Sequence, residues 1–312
     1  MHEAIPLPFK PNRLDGLSER LLASHYENNY GGAVRRLNAI AGEIDALDPA
    51  SCPGFLLNGL RREELLAHNS MVLHEAYFDA LGGSGDAEGD LAAALERDFG
   101  SVARWRADFT AMGKALAGGS GWVLLARSAR DGRLRNHWAA DHAHVPAGGD
   151  VVLALDMYEH AYHLDFGARA GAYVDAFMRN VHWGRVGDRH RRAAGRSPGP
   201  GAAEGEGAWI SVEGLRRAMA EGGVAVLDVR HREDFDAAPE TLPGAAHRDA
   251  RRVEEWAAEV PRDREVVVYC VYGFQVGKDA AAELRRRGVR ARALAGGISA
   301  WRAMGGGTVP AP

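Results

Sequence analysis

The sequence predicts a multidomain chain: an α-helical hairpin followed by an α/β domain and, beyond a linker, a second α/β domain built on a parallel sheet. Three observations predict it. Leu17, Leu21, Leu22, Val34, Leu37, Ile40 and Ile44 recur at helical spacing, and a second helical stretch covers residues 63–81. Residues 193–208 read AAGRSPGPGAAEGEGA, with no large apolar side chain to bury. Past that stretch, short apolar runs alternate with helical ones.

The elements follow in order. The two helical stretches, joined by a proline-containing loop, form an antiparallel hairpin over residues 1–84. After the turn-rich GGSGDAEGD, residues 85–192 continue with helix through Arg104 and Leu116 and then change texture. Residues 122–125 and 151–155 are β-like runs, and a last helix covers about residues 173–181. Residues 193–207 form a flexible linker. In residues 208–312, 224–227 and 266–269 read as buried strands, while 214–219 and 277–287 read as helices.

Composition narrows the classes of function. The net charge of -4 and pI of about 6.4 give no reason to expect a polyanion, so no nucleic-acid partner is predicted. Arg185, Arg189, Arg191 and Arg192 read as a solvated helix end, since no groove-reading motif accompanies them. No stretch reaches the ~18 uninterrupted apolar residues of a membrane helix, and the N-terminus lacks a basic segment followed by an apolar one. Two cysteines far apart, Cys52 and Cys270, are not a disulfide framework. A cytoplasmic protein without a membrane partner is expected.

Eleven of the thirteen histidines precede the linker. His2, His68, His137 and His190 have no partner at meaningful spacing and read as surface or core residues. The segment LALDMYEHAY differs: an apolar strand ends at Asp156, and His160 follows four residues later, where a turn can aim both at one point. A carboxylate and an imidazole so placed suit iron, manganese or zinc.

DMYEHAYHLDF resembles the DxWEHAYYLDY segment of the iron/manganese superoxide dismutases, and other marks of that family occur in order. They are LPF near the start, His25 in SHYENNYGGAVRRLN, His74 in HNSMVLHEAYF, and GGSGW ending at Trp122. The resemblance spans about residues 5–190. It implies one iron or manganese ion per subunit, iron slightly favoured, held by His25, His74, Asp156, His160 and a solvent molecule. It also implies superoxide as substrate, a homodimer or higher homo-oligomer, and a cavity to which Trp122 and Tyr77 contribute. Glu159 matches the residue that bonds the neighbouring subunit's ligand histidine.

The outer partner of the solvent ligand is, in that family, a glutamine on the second helix or a glutamine or histidine in the sheet region. The helix position here is Ser70, whose side chain is too short; Asp141-His142 matches the alternative, so His142 is the catalytic candidate, with His144 close by as its rival. The gateway positions depart from the pattern. Asn29 stands for histidine, Ala33 for tyrosine, His163 for the second tyrosine of EHAYY and Tyr158 for the tryptophan before Glu159. Tyr30 or His163 are the residues placed to refill that gap.

Cys270 follows the apolar run VVVY and heads a loop that opens a helix. Backbone amides and the helix dipole favour anions there, so a depressed thiol pKa and a nucleophilic thiolate are expected, against the alternative of a small buried hydrophobe. LDVRHREDF, LPGAAH and LAGGISAW resemble the LDVREPEEF, HIPGA and LxGGxxxW segments of rhodaneses over about residues 208–305. That resemblance implies a persulfide on Cys270, cradled by the loop of Val271, Tyr272, Gly273, Phe274 and Gln275, and a sulfane-sulfur donor. Gln275 and Val276 replace the usual arginine and serine, which removes the charge partner of an anionic donor. The loop also lacks the arginine a phosphatase needs. Asp228 and Arg230 read as structural.

Taken together, the sequence reads as a superoxide dismutase with a sulfur-carrying domain. The alternatives are a metal-binding dimeric scaffold with weak or no dismutation that displays the sulfur module, and a sulfurtransferase for which the front part is only a dimeriser.

Overall fold

The computed structural model describes residues 1–195 and 207–311. Most of the expected linker, residues 196–206, lies outside them. The chain divides into two compact units, Pro8–Gly201 and a second made of Met1–Leu7 with Ala202–Pro312. The seven N-terminal residues, expected to open the hairpin, thus group with the C-terminal unit.

In the larger unit, α1 (Glu19–Ser24) is capped by the Ser18 hydroxyl, which accepts the Leu21 amide. It runs through a π-helical turn, His25–Tyr30, into α2 (Gly31–Asp45). A π-turn inserts a residue into the helical ladder and rotates the side chains around it, a feature common at functional sites. After a loop, α3 (Gly54–Asp79) packs against α2 to complete the hairpin. It begins nine residues earlier than apolar periodicity indicates, because Phe55 there is 83% exposed and the first turns bury no regular stripe.

Helices α4 (Gly89–Phe99) and α5 (Val102–Ala115) lead to an antiparallel sheet of β1 (Trp122–Ser128), β2 (Leu134–Ala139) and β3 (Gly149–Asp156), ordered β2-β1-β3. The register sets Trp122 directly opposite Asp156. A 3₁₀ turn (Glu159–Ala161), α6 (His163–Phe166), α7 (Ala170–Arg179) and α8 (Trp183–Ala193) complete the unit. The arginines of α8 are not simply solvated. Arg185 donates to the Asp79 carbonyl at 2.7 Å and Arg189 to the Ala76 carbonyl at 3.0 Å, and both lie beside the Asp79 carboxylate. These cations sit on carbonyls at the C-terminal end of α3, that of Ala76 also accepting the Ala80 amide, where the helix dipole favours positive charge.

The C-terminal unit comprises β4 (Trp209–Ile210), α9 (Val212–Ala220), β5 (Val224–Asp228), α10 (Arg232–Ala237), β6 (Glu240–Thr241), β7 (Ala246–His247), α11 (Val253–Trp256), β8 (Glu265–Tyr269), α12 (Gln275–Arg286), β9 (Ala291–Leu294), α13 (Gly297–Ala303) and β10 (Val309–Pro310). Its main sheet is parallel, ordered β4-β9-β8-β5-β7. Val266 and Val268 of β8 pack with Ala280, Ala281 and Leu284 of α12, and Val267, on the opposite face, is equally buried, the two-sided burial that parallel strands require. Asp228 and Arg230 are both buried; the carboxylate takes two guanidinium nitrogens, at 3.0 and 2.6 Å, and the Tyr269 hydroxyl at 2.9 Å. The N-terminal segment is bound into this unit: the Ala4 amide reaches Met304 Sδ at 3.2 Å and the Ser211 hydroxyl donates to Glu3 at 3.0 Å.

Candidate functional site

Four side chains from separate elements converge in the larger unit. His25 begins the π-turn, His74 lies on α3, Asp156 ends β3 and His160 sits in the 3₁₀ turn after it. Their candidate ligand atoms all lie within 4.8 Å of one another. Asp156 Oδ2 is 3.1 Å from His25 Nε2, 3.5 Å from His74 Nε2 and 3.1 Å from His160 Nε2. His25, His74 and Asp156 are buried and His160 half-buried.

The charges follow from the packing. Burial lowers the pKa of His25, and burial together with the neighbouring His25 ring holds His74 down to about 3, so both imidazoles are neutral at physiological pH. Burial works against the Asp156 carboxylate, but His160 and His25 outweigh it and hold it below the usual range. Its Oδ1 accepts the Tyr158 amide at 2.8 Å, leaving Oδ2 to the imidazoles.

His74 Nδ1 lies 2.7 Å from the Ser70 carbonyl, an acceptor only, so Nδ1 carries the proton and Nε2 a lone pair. That lone pair faces a carboxylate oxygen, and among the described residues the buried Nε2 has no hydrogen-bond partner. Two acceptors facing each other in a dry site are unfavourable without a cation between them. Three imidazoles and one carboxylate fit iron or manganese as a donor set.

Around this cluster, the Trp122 indole donates to His142 Nδ1 at 3.0 Å. Burial keeps the His142 pKa low, so its remaining proton is on Nε2. The His142 ring stacks on Tyr158 at 5.1 Å, and Tyr158 stacks on His160 at 5.4 Å. Burial pushes the Tyr158 phenol up to about 12, so it stays protonated. His144, the other candidate beside Asp141, is exposed, 3.1 Å from the Asp141 carboxylate and stacked on Trp138. Tyr77 packs 5.0 Å from His25. Tyr30 is buried 6.3 Å from His74, with its hydroxyl donating to Glu75 at 3.0 Å. Asn29 is half-buried and Ala33 buried, whereas His163 and Glu159 are exposed.

Phe78, whose ring lies 5.0 Å from His25, and Tyr173, whose hydroxyl donates to the Asp156 carbonyl at 2.7 Å, were missed by sequence reasoning. Phe78 is signalled by its place one turn beyond His74; Tyr173 carries no local signal.

In the C-terminal unit, Cys270 follows β8 at the carboxyl edge of the parallel sheet, where α/β proteins place their sites. The expected depression of its pKa is corrected. Burial pushes the thiol up, and the amides of Gly277, Gly273, Phe274 and Tyr272 pull it down without prevailing. Gly277, on the first turn of α12, lies beyond the expected cradle of residues 271–275. Val271 is half-buried in this loop, and Gln275, exposed, hydrogen-bonds Asp279.

The GGIS segment braces the loop from the other side. The Ile298 amide donates to the Cys270 carbonyl and the Ser299 amide to the Val271 carbonyl, each at 3.0 Å. Gly273 and Gly297 both have positive φ, and a Cβ on Gly297 would lie 2.3 Å from the Cys270 carbonyl oxygen. Only glycine allows these backbones to touch.

Comparison with known proteins agrees with both arrangements. Residues 87–189 match the family model "Iron/manganese superoxide dismutases, C-terminal domain", and residues 211–304 match "Rhodanese-like domain". The chain is 65% identical over 193 residues to a superoxide dismutase [Fe] of Cupriavidus metallidurans, covering 62% of this chain and 98% of that protein. It is 33% identical over 205 residues to superoxide dismutase [Mn] 1 of Halobacterium salinarum, covering 62% of this chain and 98% of that protein. With superoxide dismutase [Fe] of Aquifex pyrophilus it shares 30% identity over 192 residues, 59% of this chain and 89% of that protein. The front two-thirds, with its clustered imidazoles and carboxylate, belongs to the iron/manganese superoxide dismutase family, and the chain carries a rhodanese-like domain behind it.

Proposed function

We propose that the larger unit dismutates superoxide, with His25, His74, Asp156 and His160 holding one iron or manganese ion. The observation that carries this reading is the lone pair of His74 Nε2 facing Asp156 Oδ2 in a buried site. Iron is favoured, because the similar protein at 65% identity is named an iron enzyme. When bound, such an ion supplies the one-electron exchange by which two superoxide anions and two protons become dioxygen and hydrogen peroxide.

The chain's own residues do the rest. Asp156 offsets cationic charge beside the neutral His25 and His74 imidazoles, and the Ser70 carbonyl and the Tyr158 amide hold His74 and Asp156 in orientation. His142 keeps a proton on Nε2 because Trp122 occupies Nδ1, and it is the catalytic donor of this reading. Tyr30, tied to Glu75, stands in for part of the altered gateway. The exposed Glu159 beside half-buried His160 suits a homodimer whose interface completes the site.

Cys270 is the sulfur carrier of the rhodanese-like domain, receiving sulfane sulfur as a persulfide. Both cysteines are free, as a cytoplasmic setting favours, and among the described residues no helix is long and apolar enough to cross a membrane.

Metal analysis of protein purified without added metal, followed by a superoxide disproportionation assay, tests the first activity. One ion per chain with activity far above that of free metal is expected. Full loading without such activity would leave the scaffold reading, which the buried Ala33 at the gateway tyrosine position favours.

A further inference from the structure

The loop after Cys270 holds no cation. Val271, Tyr272, Gly273, Phe274, Gln275 and Val276 are uncharged, and the Gln275 side chain is tied to the Asp279 carboxylate one turn into α12. Lys278 and Asp279 cancel, so the helix start has no net positive side-chain charge.

Beside this junction lies a cavity of about 330 Å³, lined in part by His231, Arg251, Gln275, Val276, Asp279 and Arg286. Its guanidinium groups already face carboxylates, Arg251 that of Glu233 and Arg286 that of Glu283, and His231 lies 3.6 Å from Asp249. The amides near the cysteine are turned to its own Sγ.

Thiosulfate is a dianion, and the fragment that leaves as sulfite gathers negative charge on its oxygens as the S–S bond breaks, so it calls for a guanidinium or ammonium close to that bond. An organic persulfide, R–S–SH, has no fixed charge on the atoms flanking its S–S bond and carries a carbon substituent. The half-buried Tyr272 and Phe274 offer apolar surface to that substituent. We infer that Cys270 takes its sulfur from an organic persulfide and not from thiosulfate, an inference that rests on reading Cys270 as the sulfur carrier.

The transfer balances without another reagent. The Cys270 thiolate attacks the outer sulfur of R–S–SH, and the new Sγ–S bond forms as the donor's S–S bond breaks. R–S⁻ leaves, and the hydrogen stays on the transferred sulfur, giving Cys270–S–SH. The sulfur moves without a change of oxidation state.

The full chain carrying Cys52→Ser, offered cysteine persulfide or thiosulfate, tests this by the mass gain of one sulfur atom at Cys270. Loading from the persulfide is expected to be about 100-fold faster than from thiosulfate, the range a charged hydrogen bond spans. Gln275→Arg, at an exposed position, is expected to raise the thiosulfate rate about tenfold or more. Equal loading from both donors in the parent chain overturns the inference, and so does a Gln275→Arg chain no faster with thiosulfate. No loading from either donor overturns instead the assignment of Cys270 as a carrier.

Discussion

Trp122 donates its indole N–H to Nδ1 of His142 across 3.0 Å, and this contact decides which nitrogen of the imidazole holds the proton. The sheet makes it possible, since Trp122 starts β1 opposite Asp156 at the end of β3. A tryptophan that looks like a cavity wall is also the residue that orders the candidate proton donor.

Removing either partner is expected to slow dismutation while bound metal stays at the parent level. Trp122→Phe and His142→Ala should each lower kcat about 10–100-fold, the usual cost of losing a residue that orients a metal site. A Trp122→Phe enzyme as fast as the parent would show that the indole contact does not set the active tautomer.

Asp156→Asn removes the only negative charge among the four convergent side chains. The variant should retain little iron or manganese when dialysed against metal-free buffer. In the parent chain, metal at a thousandfold excess over its Kd stabilises the folded state by about 4 kcal/mol. Thermal melts with and without a chelator should therefore differ for the parent and coincide for Asp156→Asn.

Because burial raises the Cys270 thiol above its ordinary value, only a small fraction is thiolate near neutrality. The thiol form loses its proton as pH rises, so the alkylation rate of Cys270 in the Cys52→Ser chain should climb about tenfold from pH 7 to 8 and go on rising past pH 9. A rate that levels off below pH 8 would mean that the loop amides prevail over burial.

Gly297→Ala places a methyl group 2.3 Å from the Cys270 carbonyl oxygen at a positive φ. Strain of this kind costs about 1–3 kcal/mol before the clash is counted. Urea denaturation of the C-terminal unit should show at least that loss, with Gly307→Ala, which meets nothing within 4 Å among the described residues, as a near-neutral control.

Deleting Met1–Leu7 strips Ala4 and Leu7, both buried, from the protein, and removes the partners of Met304 and Ser211. Burial of one leucine is worth about 1.5–3 kcal/mol. Hydrogen exchange in the strands of the C-terminal unit should accelerate accordingly, while dismutation should persist.

Much of the fold is legible in the chain. The α2–α3 hairpin and the buried strands β5 and β8 follow from apolar spacing, because those elements bury regular faces. What escaped lacks such faces. The first turns of α3 expose Phe55, and β2 mixes buried Leu134 with exposed Trp138 at a sheet edge. Arg185 and Arg189 read as solvent residues because a charge shows nothing of the helix end it will cap.

By itself the sequence determined which side chains are available for chemistry: three histidines and an aspartate in recognisable surroundings, and a cysteine between a strand and a helix. Only the tertiary structure decided their protonation and their company. The ordinary pKa of a histidine or a thiol belongs to water, and the shift depends on how much water the fold excludes and which groups replace it. That is why His74 is neutral and why the Cys270 thiol rises where a helix start alone promised a fall. The first seven residues join the unit farthest from them in sequence because the surface that buries Ala4 forms only when that unit folds, and no local pattern shows it.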